Sequence, residues 1–269
     1  MSCAPDAPVQ SRGQFIARVL CNIPLCREHY LLTLRLDSFP PTRAGQFVQV
    51  ACCDVDPIGG IDIYGGCVLR RPFSLAGRRD GGGGVELDII HRVVGEGTRW
   101  LARRRVGDAV SVLGPLGNRF THPKEDGIAL LVGGGVGIPP MIYLASELAG
   151  RRAVAFAGAT TLELLALKRT DDAPPPAGDR LAPLYNIQEF ARHGIPTIVA
   201  TDDGSYGYEG FVTDALEVYL DRYLTDPADR RRTFVYTCGP EVMMKKTVAL
   251  CGERGIECEA AVERSMACG

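Results

Sequence analysis

Arg71, Pro72, Phe73 and Ser74 set a permanent cation, a rigid backbone, an aromatic ring and a hydroxyl side by side. The planar fork of Arg71 suits a diphosphate, because it can meet two phosphate oxygens at once. The Ser74 hydroxyl can hydrogen-bond a flavin ring nitrogen and so tune the ring. Further along, Leu131 and Val132 run into Gly133, Gly134, Gly135, Val136 and Gly137, followed by Ile138, Pro139 and Pro140. Glycine lets a backbone approach a pyrophosphate, and a helix opening after such a turn presents N–H groups to it. In this order the two motifs suggest a flavin site followed by a nicotinamide nucleotide site. Each also has a plainer reading: a strand with an exposed arginine, and an ordinary glycine turn.

Other residues extend this chemistry. Gly97 and Thr98 open a helix, so N–H groups and a hydroxyl there can meet phosphate oxygens. The alternative is a simple helix cap. Cys238, Gly239 and Pro240 end an apolar strand. Ligands bind at the carboxyl edge of parallel sheets, so this segment is a candidate site residue set, with a buried structural cysteine as the alternative. After the apolar run at 153–157 come Thr160 and Thr161, with neither the acid that reads a ribose hydroxyl nor a cation for a 2′-phosphate. That absence favours NAD over NADP.

Two textures position these residues. Up to Gly117, short apolar pieces at 14–20, 30–36, 46–51, 85–91 and 109–113 alternate with Gly and Pro turns, with breaks predicted at Pro24 and at Pro40-Pro41. This pattern predicts a barrel or sandwich, interrupted by a helix at 98–105 with Trp100 and Leu101 facing inward. Residues 113–117 read as a tight turn leaving it, and 54–66 as a glycine-rich loop. From Gly127 onward, buried strands at 128–132, 153–157, 197–200 and 233–237 alternate with helices at 140–148, 162–167, 211–223 and 241–251. That alternation predicts a doubly wound parallel sheet. Residues 170–179 read as a polar loop.

Bulk properties exclude several classes. The chain has 269 residues, 46% hydrophobic and 23% charged, with a formal net charge of -2, so nothing in its charge draws it to nucleic acid or an anionic membrane. No apolar run reaches the ~18–20 residues that span a bilayer. Pro5 and Pro8 interrupt an N-terminus without an apolar core, which is unlike a signal peptide. A cytoplasmic location is the expectation. The 10 cysteines lack paired zinc spacing and an export signal, so most are read as small buried hydrophobes.

Taken together, Arg70–Ser74, residues 95–101, 113–118 and 133–140, Thr201-Asp202-Asp203-Gly204-Ser205, and Cys238-Gly239-Pro240 resemble the ferredoxin–NADP reductase superfamily. Within it the chain is most similar to the electron-transfer subunits of type B dihydroorotate dehydrogenases, over residues 14–269. The resemblance implies an antiparallel FAD-binding β-barrel at 12–118, an NAD-binding α/β domain at 126–255, and the start of an iron–sulfur segment at 256–269. It implies flavin contacts, largely through backbone, at Ile90, His91 and Arg92, although His91 reads equally well as a surface histidine. It places Cys238 beside the nicotinamide, so Ser74 and Cys238 become the candidate catalytic residues. It also implies a 2Fe-2S segment of C-x4-C-x2-C type with a distal fourth cysteine. Cys268 matches one metal ligand, so the chain as written is expected to hold no cluster, through truncation, a frame shift or loss. The implied partner is an FMN-containing catalytic subunit that oxidises dihydroorotate to orotate in pyrimidine biosynthesis. Two other readings stay open: an NADH-dependent ferredoxin or sulfide reductase subunit, which shares 201–205 and 210–214, and a redox-inactive regulatory relative.

Overall fold

Residues 12–54, 69–170 and 180–262 are described by the structure, a computed structural model. The loops predicted at 54–66 and 170–179, apart from Asp54 and Thr170, and the segment carrying Cys268 lie outside the described residues.

The first half is built by strands with one apolar face. They are β1 (Gly13–Cys26), β2 (His29–Leu36), β3 (Phe47–Val50), β4 (Arg71–Gly81), β5 (Gly84–Arg92) and, after helix α1 (Glu96–Ala102), β6 (Ala109–Leu116). All pair antiparallel and close into a barrel in the order β1-β2-β5-β4-β3-β6. Alternate residues fill its interior: Leu32, Leu34 and Leu36 of β2 face Ile89, Leu87 and Val85 of β5, all buried. Closure leaves no sheet edge exposed.

Three local predictions are corrected. Strand β1 does not break at Pro24; it continues to Cys26, with Pro24 opposite Tyr30 at a register shift. A bulge accommodates a residue that has no N–H to give the ladder. Residues 113–116 belong to β6, which runs through a cis Gly114–Pro115 peptide, instead of forming a turn. Helix α1 starts and ends earlier than predicted, with Leu101 buried and Trp100 half-buried.

The second half alternates. It contains β7 (Ile128–Gly134), a 3-10 turn at Gly135–Gly137, α2 (Ile138–Glu147), β8 (Ala153–Ala159), a 3-10 turn at Leu162–Leu164, α3 (Gln188–Ala191), β9 (Thr197–Thr201), β10 (Tyr208–Glu209), α4 (Val212–Tyr223), α5 (Pro227–Arg231), β11 (Thr233–Cys238), α6 (Glu241–Glu253) and β12 (Glu257–Ala260). The strands form one parallel sheet in the order β10-β9-β8-β7-β11-β12. Strand β12 pairs with β11 from Phe234↔Glu257 to Thr237↔Ala260, so residues 257–260 lie in this sheet. Its Glu-Cys-Glu-Ala sequence carries no apolar run because an edge strand is partly solvated.

The faces of β7 divide the core. Ala129 and Leu131 join α2 and the barrel interior in one continuous cluster, while Leu130 and Val132 face α4 and α6 in a second. Polar contacts pin the seam between the halves. The Tyr143 hydroxyl of α2 donates to Thr42 O at 2.9 Å and lies 2.9 Å from the Thr42 hydroxyl. Glu147 accepts from the Ala44 N–H at 3.1 Å and sits 2.8 Å from His122 Nε2. The Tyr143 clasp is buried, where hydrogen bonds are costly to leave unmade, and the Glu147 clasp opens to solvent at His122.

Candidate functional site between barrel and sheet

Strand β4 begins with the Arg71–Ser74 motif, and all four residues are half-buried. Its two neighbouring arginines are used differently. Arg70 turns into the barrel wall, donating to Ser111 Oγ at 2.9 Å, Ser111 O at 3.1 Å and Gln49 O at 3.4 Å. Arg70 therefore clamps β3 to β6, and Arg71 reaches Leu69 O at 3.3 Å. Ser74 lies opposite Phe47 of β3.

The end of β5 carries Ile90, His91 and Arg92. Arg92 binds Glu28 at the β1–β2 turn, with Nη2 2.8 Å from Oε2. His91 is no surface histidine: it is 2% exposed, stacked on Tyr30 at 5.7 Å and edge-on to Phe73 at 6.0 Å. Both of its ring nitrogens are buried without a hydrogen-bond partner. Burial, and secondarily the nearby His29, push its pKa down to about 4, so the ring is neutral at physiological pH.

In α1 the Thr98 hydroxyl is already engaged. It accepts from the N–H groups of Val94 at 2.9 Å and Gly95 at 3.1 Å, which is a capping role. Any phosphate contact at this helix falls to backbone N–H groups, since the first turn of a helix leaves them without internal partners.

The glycine turn and the Cys238 segment, far apart in sequence, touch. Gly133 lies opposite Cys238 in the β7–β11 ladder. A Cβ on Gly137 would stand 2.2 Å from Cys238 O, so no side chain fits there. Gly135 takes φ +54°, a left-handed conformation that glycine adopts readily. The turn also rests against β5, which brings the predicted flavin strand to the predicted nucleotide turn. One expectation narrows. Helix α2 opens with Ile138, Pro139 and Pro140; Ile138 N–H is taken by Gly135 O, and the prolines have no N–H. Free donors toward a phosphate therefore come from the turn, and the helix adds its dipole.

Next to it, Thr160 and Thr161 follow β8, and Asp202 and Asp203 follow β9. The Asp202 N–H reaches Ala159 O at 3.1 Å and the Asp203 N–H reaches Thr160 O at 3.3 Å. Bonds from Ser205 hold the Asp203 carboxyl below its ordinary pKa, while burial and then Asp203 push Asp202 up. Sequence reasoning noted these acids only as part of a family block. They stand at the end of β9, the strand that pairs with β8. Val136, Phe211 and Val242 are exposed apolar residues around the same edge. Among the described residues no three His, Cys, Asp or Glu side chains gather as metal ligands, and no helix is long and apolar enough to cross a membrane. The seven described cysteines are free thiols.

No family model matches the sequence. The dihydroorotate dehydrogenase B (NAD(+)) electron transfer subunit of Fusobacterium nucleatum is 32% identical over 259 residues, covering 92% of this chain and 83% of that protein. Its counterpart in Geobacillus kaustophilus is 35% identical over 232 residues, covering 84% and 74%. A solved structure of an NADH-dependent reduced ferredoxin-NADP oxidoreductase superposes with a TM-score of 0.68 at 25% identity, over 93% of this chain and 77% of that one.

Two outcomes test the geometry. Gly137→Ala should destabilise by about 1–3 kcal/mol as Cβ drives into the Cys238 carbonyl, the range for overpacking. Gly150→Ala, with open space around it but φ +80°, should cost about 1 kcal/mol; equal urea midpoints for the two would contradict the contact. The second outcome concerns pH. His91 has a folded pKa of about 4 against an ordinary 6.5, so the unfolded chain takes the proton first as pH falls. Stability is full above 6.5 and declines toward 4, by about 2 kcal/mol at pH 5 and ~3 kcal/mol at pH 4. His29 and His193 shift in the same direction. Urea titrations from pH 7 to 4 should show the decline, and His91→Phe should flatten it without abolishing it.

Proposed function

The chain belongs to the family of electron-transfer subunits of NAD-linked dihydroorotate dehydrogenase B, and we propose that it holds FAD at the barrel and NAD(H) at the sheet edge. It is a flavin- and NAD-linked oxidoreductase of that family, and in our reading it exchanges electrons with an FMN-containing catalytic subunit that oxidises dihydroorotate in pyrimidine biosynthesis. The observation that carries this reading is the seam itself. Strand β5, whose His91 meets Phe73 of β4, lies against the Gly135–Gly137 turn, which in turn packs on Cys238.

When bound, FAD supplies the redox chemistry by accepting a hydride and releasing electrons singly. The chain's own residues supply placement. Arg71 neutralises the FAD diphosphate, and Ser74 offers its hydroxyl to the edge of the flavin ring. Backbone at Ile90, His91 and Arg92 lines the flavin, and the N–H groups of Gly97 and its neighbours meet its phosphates. Residues Gly133, Gly134, Gly135 and Gly137 let the NAD pyrophosphate sit close to backbone. Cys238, Gly239 and Pro240 form the floor against which the nicotinamide is held. Val136, Phe211 and Val242 offer apolar cover to its rings. The absence of a cation at Thr160 and Thr161, with the Asp202 and Asp203 carboxylates beside them, favours a ribose 2′-hydroxyl over a 2′-phosphate. Cys268 is proposed as one position of a 2Fe-2S ligand set that needs three further cysteines, so this sequence by itself is expected to hold no cluster, and a cytoplasmic location is proposed.

A reading as an NADH-dependent ferredoxin reductase subunit draws on the 25% identical ferredoxin-NADP oxidoreductase. The two separate by electron partner. The protein mixed with a dihydroorotate-oxidising FMN subunit should reduce NAD at the expense of dihydroorotate; reduction of ferredoxin by NADH with no response to that subunit would favour the second reading.

Arg71→Ala should weaken FAD binding by about 1.5–3 kcal/mol, the range for hydrogen bonds to charged groups, in fluorescence titrations of the flavin-free protein. Unchanged affinity would remove Arg71 from the site. In stopped-flow mixing, NADH should bleach the bound flavin faster or at lower concentration than NADPH. The reverse order would overturn the roles given to Thr160, Thr161 and the two aspartates.

A further inference from the structure

The two-residue turn between β1 and β2 reaches both sides of the seam. Cys26 pairs with His29 across it, leaving Arg27 and Glu28 exposed at the tip. Toward the barrel, Glu28 O accepts from the Val93 N–H at 2.8 Å, and Glu28 Oε2 lies 2.9 Å from Arg92 Nε and 2.8 Å from Arg92 Nη2. Toward the sheet, the Arg27 N–H reaches Glu163 O at 3.1 Å, and Arg27 Nη1 lies 3.3 Å from Glu163 Oε2. Glu163 belongs to the 3-10 turn that follows Thr160 and Thr161. Its neighbour Leu162 donates its N–H to Ser205 Oγ at 2.8 Å, and Ser205 Oγ donates to Asp203 at 2.6 Å. The buried His29 holds the tip from inside, its Nδ1 2.8 Å from Arg27 O. One line of contacts thus joins the end of the flavin strand to the threonines and aspartates of the nucleotide edge.

The tip also carries backbone strain. Among the described residues, Glu28 alone of the non-glycines takes a positive φ, at +65°. Glycine adopts that conformation freely, and a glutamate there is strained. Such strain persists where the surroundings over-determine it, and it clusters at functional positions. The side chain that a glycine would lack is the one that grips Arg92.

We propose that this turn is a strap that fixes the flavin strand against the nucleotide edge, and that Glu28 is a positioning residue for hydride transfer between NADH and the flavin. The proposal rests on the reading of the seam given above. Hydride passes between atoms held at close range, and a misplacement of about 1 Å can cost roughly a hundredfold in rate. Glu28 touches neither nucleotide; it acts through Arg92 and Val93 on one side and, by the Arg27 backbone, through Glu163 on the other. Replacing it with glycine removes the grip on Arg92 and lets the tip flex, while the backbone strain disappears.

FAD-loaded Glu28→Gly, Glu28→Gln and the unaltered chain are mixed with NADH in stopped flow over a range of NADH concentrations. Glu28→Gly should lower the limiting rate of flavin bleaching roughly tenfold, with the half-saturating NADH concentration and the FAD affinity unchanged. Its urea midpoint should not fall, because the relieved strain offsets the loss of an exposed ion pair. Glu28→Gln keeps an oxygen that accepts from Arg92 and should retain most of the limiting rate. A merely structural turn would give the opposite pattern, a lower urea midpoint with an unaltered limiting rate, and that result overturns the positioning role while leaving the reading of the seam intact. A rate that falls only in step with lost FAD overturns it as well. If NADH does not bleach the flavin of the unaltered chain at all, the reading of the seam and the role of Glu28 fall together.

Discussion

Helix α2 is apolar all round, and that constraint organises the molecule. Every residue from Ile138 to Ala145 is buried. A helix without a polar face cannot border water, so it must be covered on both sides. The sheet covers one side through β7 and β11, and the barrel covers the other through β4. Tyr143 and Glu147, near its C-terminal end, then find their partners in the barrel's Thr42 and Ala44. The two halves share one core for this reason, and the turn at the helix's start is held against β5.

Placement at the seam decides which groups remain available for chemistry. Of the adjacent Arg70 and Arg71, the first is spent on three acceptors of β3 and β6. Thr98 is spent on its own helix cap. The prolines of α2 remove donors that a helix start ordinarily offers. The seam presents mostly backbone, at Gly133–Gly137 and at the ends of β5 and α1, beside the half-buried Arg71 and Ser74 side chains. Such a site suits a ligand that brings its own reactivity, since it offers diphosphate contacts and a fitted surface more than strong acids or bases.

Helix α6 connects two chemically different ends. It starts beside Cys238 and Gly239, where Gly239 approaches Gly134, and it finishes at the buried Leu250 and Cys251. The first end requires close backbone approach, and the second an apolar seat behind the sheet. Both follow from the helix lying between adjacent parallel strands, which forces it to run from one edge of the sheet to the other.

Much was legible in the sequence, because it depends on neighbours along the chain. The apolar runs of β7, β8, β9 and β11, the alternation of β2 and β5, and the order of the arginine, glycine and cysteine motifs were all local patterns. Tertiary structure decided what depends on residues distant in sequence. It carried β1 past Pro24, because β2 stood opposite to absorb a bulge. It drew the polar 257–260 segment into the sheet, because β11 offered an unpaired edge. It buried His91 between Tyr30 and Phe73, tied Arg70 to Gln49 and Ser111, and set Asp203 beside Thr160. Residue type sets what a side chain can do; the partners that occupy it, or leave it available, come from strands and helices that the chain supplies elsewhere.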